Sequence, residues 1–164
     1  MDQFLEVFNR VIEKNHAVLE KNQISSFVGW WYNSWALKLQ KKEWSSPALH
    51  ENPIHSGIFF SIWLTEQDLE KSMLSYNIHA FKLRELEGYT IKSRNFADDF
   101  RSAFTPDQSS WKNVSVSYGP LTLMQGYLPL DMKNFEKDVD HLVKKFIPLC
   151  PVIDQLLAAR KKVK

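Results

Sequence analysis

The chain has 164 residues, 44% of them hydrophobic and 24% charged, with a formal net charge of +2. A chain of this length buries roughly 70% of the surface its unfolded form exposes, so a core can form without disulfides or a structural metal, and the composition excludes an intrinsically disordered chain. So small a charge does not by itself imply a nucleic-acid or membrane partner, and the basic residues are scattered apart from Lys41-Lys42 and the group Arg160, Lys161, Lys162 and Lys164.

No repeat, low-complexity run or linker divides the chain, so residues 1–164 are expected to form a single globular α+β domain. Phe4, Phe8, Val11, Ile12 and Leu19 recur at helical spacing and predict a helix over residues 3–21. Asp2, Glu6, Glu13 and Glu20 interrupt any apolar core there, which argues against a signal peptide. The stretch 26–41 carries two conflicting signals. Phe27, Trp31, Trp35 and Leu39 are spaced by four, as on a helix, whereas Trp35, Leu37 and Leu39 alternate with Lys38 and Gln40, as on a strand. The four-residue spacing spans more of the segment and favours the helix.

Pro47, Pro53 and Gly57 mark residues 45–56 as a loop, and the apolar run 58–64 reads as a buried strand, far shorter than the ~20 residues of a membrane helix. Thr65 and Asp68 form a capping pattern, after which Leu69, Met73, Tyr76, Ala80 and Leu83 predict a helix closed by Gly88. Ser93 opens another, with Phe96, Phe100 and Phe104 inward and Thr105-Pro106 at its end. A hairpin is expected over 114–129, with Val114, Val116 and Tyr118 on one face, a Gly119-Pro120 turn and a returning strand to Tyr127. Asp131 caps a helix burying Phe135, Val139, Leu142, Val143 and Phe146, and a last short helix follows Pro148 and Pro151. The fold class is therefore α+β, a small, mainly antiparallel sheet (hairpin near 114–129 plus strand near 58–64) packed by about five or six helices.

Motifs that would carry chemistry are sparse. His50 and His55 are five apart with Pro53 between them, which is wrong for two ligands on one helical face, so they are weak metal candidates. Asp107, Asp131 and Lys133 have the outline of a PD-(D/E)xK nuclease site, two carboxylates to hold Mg²⁺ and a lysine to orient water, although a turn and a helix cap already account for the two aspartates. Asp98-Asp99, flanked by Arg94 and Arg101, and Asp138 with His141 read as solvated polar faces. No phosphate-cradling loop or nucleophile elbow occurs. Cys150, the single cysteine, permits no intramolecular disulfide and reads as an inert buried thiol. Asn113-Val114-Ser115 is taken as a chance sequon, and the cytoplasm is the expected compartment.

The distinctive feature is aromatic content, six Trp, five Tyr and eleven Phe, with Trp30, Trp31, Tyr32, Trp35 and Trp44 clustered. Such rings are enriched at interfaces and in ligand pockets. A second polar group includes His79 and Lys82. These seven residues are the candidate binding set. The leading expectation is a non-enzymatic binding or adaptor protein that holds a protein partner or an apolar small molecule, with no cofactor, membrane or nucleic acid. The alternatives are a metal-dependent hydrolase or nuclease built on Asp107, Asp131 and Lys133, and a weak single-stranded nucleic-acid binder using Lys38, Lys41 and Lys42 beside the rings. Whether the protein is an enzyme stays open at this point.

Overall fold

A computed structural model describes residues 2–46 and 54–163. The chain opens with α1 (Asp2–Lys14) and α2 (His16–Lys21), then runs through β1 (Ile24–Trp31), β2 (Ser34–Lys41), β3 (Gly57–Thr65), α3 (Glu66–Glu70), β4 (Met73–Phe81), α4 (Ser93–Gln108), β5 (Thr122–Pro129), α5 (Phe135–Phe146) and α6 (Cys150–Ala158). The five strands form one antiparallel sheet in the order β1-β2-β3-β4-β5. The α+β class and the antiparallel sheet agree with the sequence reading, and the sheet is larger than expected.

Strand side chains alternate between faces. Trp35, Leu37 and Leu39 of β2, Ile58, Phe60, Ile62 and Leu64 of β3, and Leu74, Tyr76 and Ile78 of β4 point to one face, where they share a continuous core with Phe4 and Phe8 of α1, Phe96, Phe100 and Phe104 of α4, and Phe135, Val139 and Phe146 of α5. Phe60 lies flat on Phe146, with ring centroids 4.4 Å apart. All the inward positions expected for α4 and α5 are buried. So is Cys150, whose thiol burial pushes up to about 12.

Five expectations need correction. Residues 26–41 form the β1–β2 hairpin, not a helix. Tyr32 and Asn33 both take left-handed backbone angles (φ 46° and 60°), the geometry of a two-residue type I′ turn, and Trp31 faces Ser34 across it. Helix α3 has the expected capping box, Thr65 with Asp68, but stops at Glu70; Ser72 takes φ 54°, and the chain returns as β4 with Leu74, Tyr76, Ile78 and Ala80 alternating with Ser75, Asn77 and His79.

The hairpin over 114–129 does not form as a ladder. Its second strand, β5, pairs with β4, and residues 114–118 touch it through one bridge, Ser115 to Gln125. Two groups compete for the backbone: Ser115 Oγ accepts from the Ser117 amide, and the Arg101 guanidinium donates to the carbonyls of Tyr118, Gly119, Thr122 and Leu123. Finally, α4 runs past Thr105-Pro106 to Gln108, because a proline in the last turn removes only one intrahelical bond while Phe104 and Trp111 anchor the end in the core. At the other end of the chain the expected helix over 3–21 breaks at Asn15, whose amide donates to the Val11 carbonyl and to Asp140 on α5.

Candidate functional site

The face of the sheet opposite this core carries the residues that alternate with the core positions, and the strand registers set them in rows across the sheet. Phe27, Lys38, Ser61, Asn77 and Gln125 are successive cross-strand partners on β1 to β5. Four polar groups thus stand side by side at the strand spacing of about 4.8 Å. Aromatic rows flank them. On one side Trp63 pairs with Ala36, and on the other Phe59 pairs with His79. The Trp63 and His79 rings approach to 6.5 Å across the polar row.

Over these rows opens a pocket of about 520 Å³, within the range of small-molecule sites. Its walls come from the strands, the β1–β2 turn and residue 55. The rings of Trp31, Tyr32, Phe59, Trp63 and Phe81 line it, and Lys38, Ser61 and His79 supply polar groups. His55 stacks on Trp31 at 5.7 Å with the planes 14° apart. Behind the pocket, Lys38 donates to the Ile54 carbonyl (2.7 Å) and Gln40 donates to Ser56 and Ile58, fixing the chain that enters β3.

The polar row is deeply buried and incompletely satisfied. Lys38 is 6% exposed. Its ammonium lies 5.3 Å from the Trp31 and Phe59 rings and 5.9 Å from Phe27, and among the described residues no carboxylate pairs with it. Burial lowers its pKa to about 8. Asn77, 1% exposed, shares its amide between His79 Nε2 (3.0 Å) and Gln125 Oε1 (3.1 Å), while its own Oδ1 has no partner. Ser61 Oγ, on a residue 3% exposed, has none either. With Nε2 accepting from Asn77, the neutral His79 ring carries its proton on Nδ1, which has no hydrogen bond of normal geometry, the Leu121 backbone offering only a weaker contact. Burial, reinforced by the charge of Lys38, lowers the His79 pKa to about 4, so the imidazole is neutral at physiological pH.

The structure sorts the seven candidate binding residues. Trp31, Tyr32 and His79 line the pocket. Trp30 points to the other face, as adjacent strand residues must, and lies half exposed (49%) at the edge of Trp35, while Tyr32 is 83% exposed at the turn. Trp35 and Trp44 are buried in the core, and Trp44 Nε1 donates to Asp154 (2.8 Å). Lys82 is exposed just past β4 and does not line the pocket. Phe59, Ser61, Trp63 and Phe81 were not singled out as binding residues from sequence, and Lys38 was named only for the nucleic-acid alternative. Once β2, β3 and β4 are recognised, their period-two placement opposite the core positions is the signal that finds them.

A second pocket, of about 470 Å³, lies between the end of β5 and α5, lined by Trp111, Lys112, Asp131, Asp138, His141 and Lys145 among others. Asp131 is fully engaged, accepting from the Lys133 amide and from Asn134 Nδ2. Burial and the Asp131 charge raise the Asp138 pKa. Asp107 sits in the last turn of α4 and does not line this pocket, nor does Lys133. His50 lies outside the described residues. Among the described residues no group of three or more His, Cys, Asp or Glu is placed to hold a metal ion, and no helix is long and apolar enough to cross a membrane. The chain matches no family model, no curated protein and no solved structure.

Proposed function

We propose that the protein is a non-enzymatic binding protein that holds a small aromatic or apolar molecule in the pocket on the open face of the sheet. One observation carries the reading: the pocket is walled by aromatic rings, yet the buried Oγ of its lining residue Ser61 has no partner, nor has the buried Oδ1 of Asn77, which pairs with Ser61 across the sheet. Buried polar atoms are nearly always hydrogen-bonded. Two vacant ones in adjacent positions beneath an aromatic pocket are what a site with an apolar body and a polar anchor requires. Among the described residues the pocket holds no hydrogen-bonded pairing of a nucleophile with an activating base, and the His79 imidazole is held neutral by burial rather than poised near neutrality.

The test is NMR of the indole N–H groups during titration with a library of small uncharged aromatic fragments. Binding in the pocket moves the Trp31 and Trp63 resonances together and leaves those of Trp44 and Trp111 in place. A library that moves none of them, or moves only Trp30, refutes the reading.

A further inference from the structure

We infer that the pocket selects a small aromatic carboxylate, its ring held among Trp31, Trp63 and Phe59 and its carboxylate paired with Lys38 Nζ and Ser61 Oγ. This inference rests on the reading of the pocket as a ligand site and adds the charge of what enters it.

The geometry excludes the other signs of charge in turn. Aromatic walls suit a cation when their faces are vacant. Here the Lys38 ammonium already stands over Trp31 and Phe59, so a second cation meets a like charge where it would bind. Among the described residues, the ionisable side chains that line the pocket are Tyr32, Lys38, His55 and His79, with no carboxylate in the set.

A neutral ligand fits the walls but leaves Lys38 as found, a buried ammonium whose one hydrogen bond goes to the Ile54 carbonyl. An ammonium has three donors. A carboxylate supplies the counter-ion and accepts from two of the groups that the polar row sets side by side, the Lys38 ammonium and the neighbouring Ser61 hydroxyl, which are direct cross-strand partners. The wall rings take up the remainder of the ligand, so the acid must carry an aromatic or similarly flat apolar body.

Three probes of nearly equal shape test this by calorimetry at pH 7: 2-naphthoate, 2-naphthamide and 2-naphthylmethylammonium. The acid is expected to bind at least about tenfold more tightly than the amide, the margin of one charge-assisted hydrogen bond over a neutral one, and the ammonium probe most weakly. In Lys38→Gln the acid loses its advantage and binds no more tightly than the amide, with circular dichroism confirming that the variant is folded. Equal affinity of acid and amide in the wild type, or a preference that survives in Lys38→Gln, overturns the inference and leaves the pocket reading standing. Tightest binding by the ammonium probe also overturns it. Failure of all three probes to bind counts against the pocket reading itself and removes the basis of this one.

Discussion

Replacing Lys38 with Met should stabilise the protein at neutral pH, although it removes a well-formed hydrogen bond. In the folded chain burial holds the Lys38 ammonium at a pKa of about 8, against an ordinary 10.5. The charged form is thus disfavoured by folding, and the shift amounts to at most about 3 kcal/mol of lost stability below pH 8. That figure is the cost of desolvation, against which stands the attraction of the ammonium to Trp31, Phe59 and the Ile54 carbonyl. Methionine is similar in length and uncharged, so the penalty disappears. What it forfeits is the bond to the Ile54 carbonyl (2.7 Å), which leaves an acceptor unmet at a cost of about 1–2 kcal/mol. Desolvation wins, and the expected net gain is about 1–2 kcal/mol at pH 7.

The sign has a second consequence. Between pH 8 and 10.5 the unfolded chain keeps a proton at Lys38 that the folded chain has released, so wild-type stability gains with rising pH. This contribution reaches about 1.3 kcal/mol by pH 9 and about 2.5 kcal/mol by pH 10. Burial raises the pKa values of Cys150 and Tyr76, so these groups act in the opposite direction in the same range, in wild type and variant alike. Urea denaturation at pH 7, 9 and 10 should therefore show the two profiles meeting near pH 9 and the wild type the more stable at pH 10. Parallel profiles, or a variant less stable than the wild type at pH 7, would refute the argument.

Other positions give sharper or smaller effects. His79, lowered by burial to about 4, leaves the folded chain without a proton that the unfolded chain binds below pH 6.5, so stability falls by up to about 3 kcal/mol between pH 6.5 and 4; His79→Gln should flatten that limb in denaturation profiles of the two proteins. Gly126→Ala places a Cβ 2.3 Å from the buried Tyr76 hydroxyl, which is held by the Lys112 carbonyl, and should cost about 2–3 kcal/mol in urea unfolding. Asp154→Ala strands Trp44 Nε1 and unpairs Lys41, with an expected loss of about 2–3 kcal/mol in the same assay. Val116→Asp, at a half-buried residue outside any strand that packs against the edge of the core, should cost about 1 kcal/mol in the same assay; a loss of several would show that the side chain is more deeply packed than its half burial implies.

The parts of the fold legible in the sequence are those where one period dominates. Helices α1, α4 and α5 each show an apolar stripe at helical spacing, and the continuous apolar run of β3 admits few alternatives to a buried strand. The two segments that read as helices and form strands, 26–41 and 73–81, share one cause of misreading. A spacing of four is compatible with a helix of 3.6 residues per turn, but it is also twice the strand period of two. Tyr76 and Ala80 face the core together as alternate strand positions. Phe27, Trp31, Trp35 and Leu39 look like one helical stripe, yet the turn at Tyr32 and Asn33 divides them, leaving Phe27 and Trp31 on the open face and Trp35 and Leu39 in the core. Nothing in the composition of Tyr-Asn announces a type I′ turn as Asn-Gly would.

That ambiguity also hid the pocket. Read as helices, residues 26–41 and 65–88 give Lys38 and Asn77 no common neighbourhood, and Ser61 is an unremarked polar residue within an apolar strand. Read as strands, each interrupts the burial pattern at the same height: Lys38 between Leu37 and Leu39, Ser61 between Phe60 and Ile62, Asn77 between Tyr76 and Ile78. A sheet face open to solvent tolerates polar residues without comment, whereas these three are buried on the face that the helices do not cover. Their burial depends on the rings around them: Trp31 and Phe59 beside Lys38, and Trp63 and His79 across the row. The aromatic excess visible in the composition therefore serves two ends. One set of rings fills the core, and a smaller set on the opposite face removes a polar row from water without supplying its missing hydrogen bonds. A row arranged in this way lowers the stability of the protein, as the displaced pKa values of Lys38 and His79 indicate, and under the proposed function a ligand that met the vacant groups would restore it.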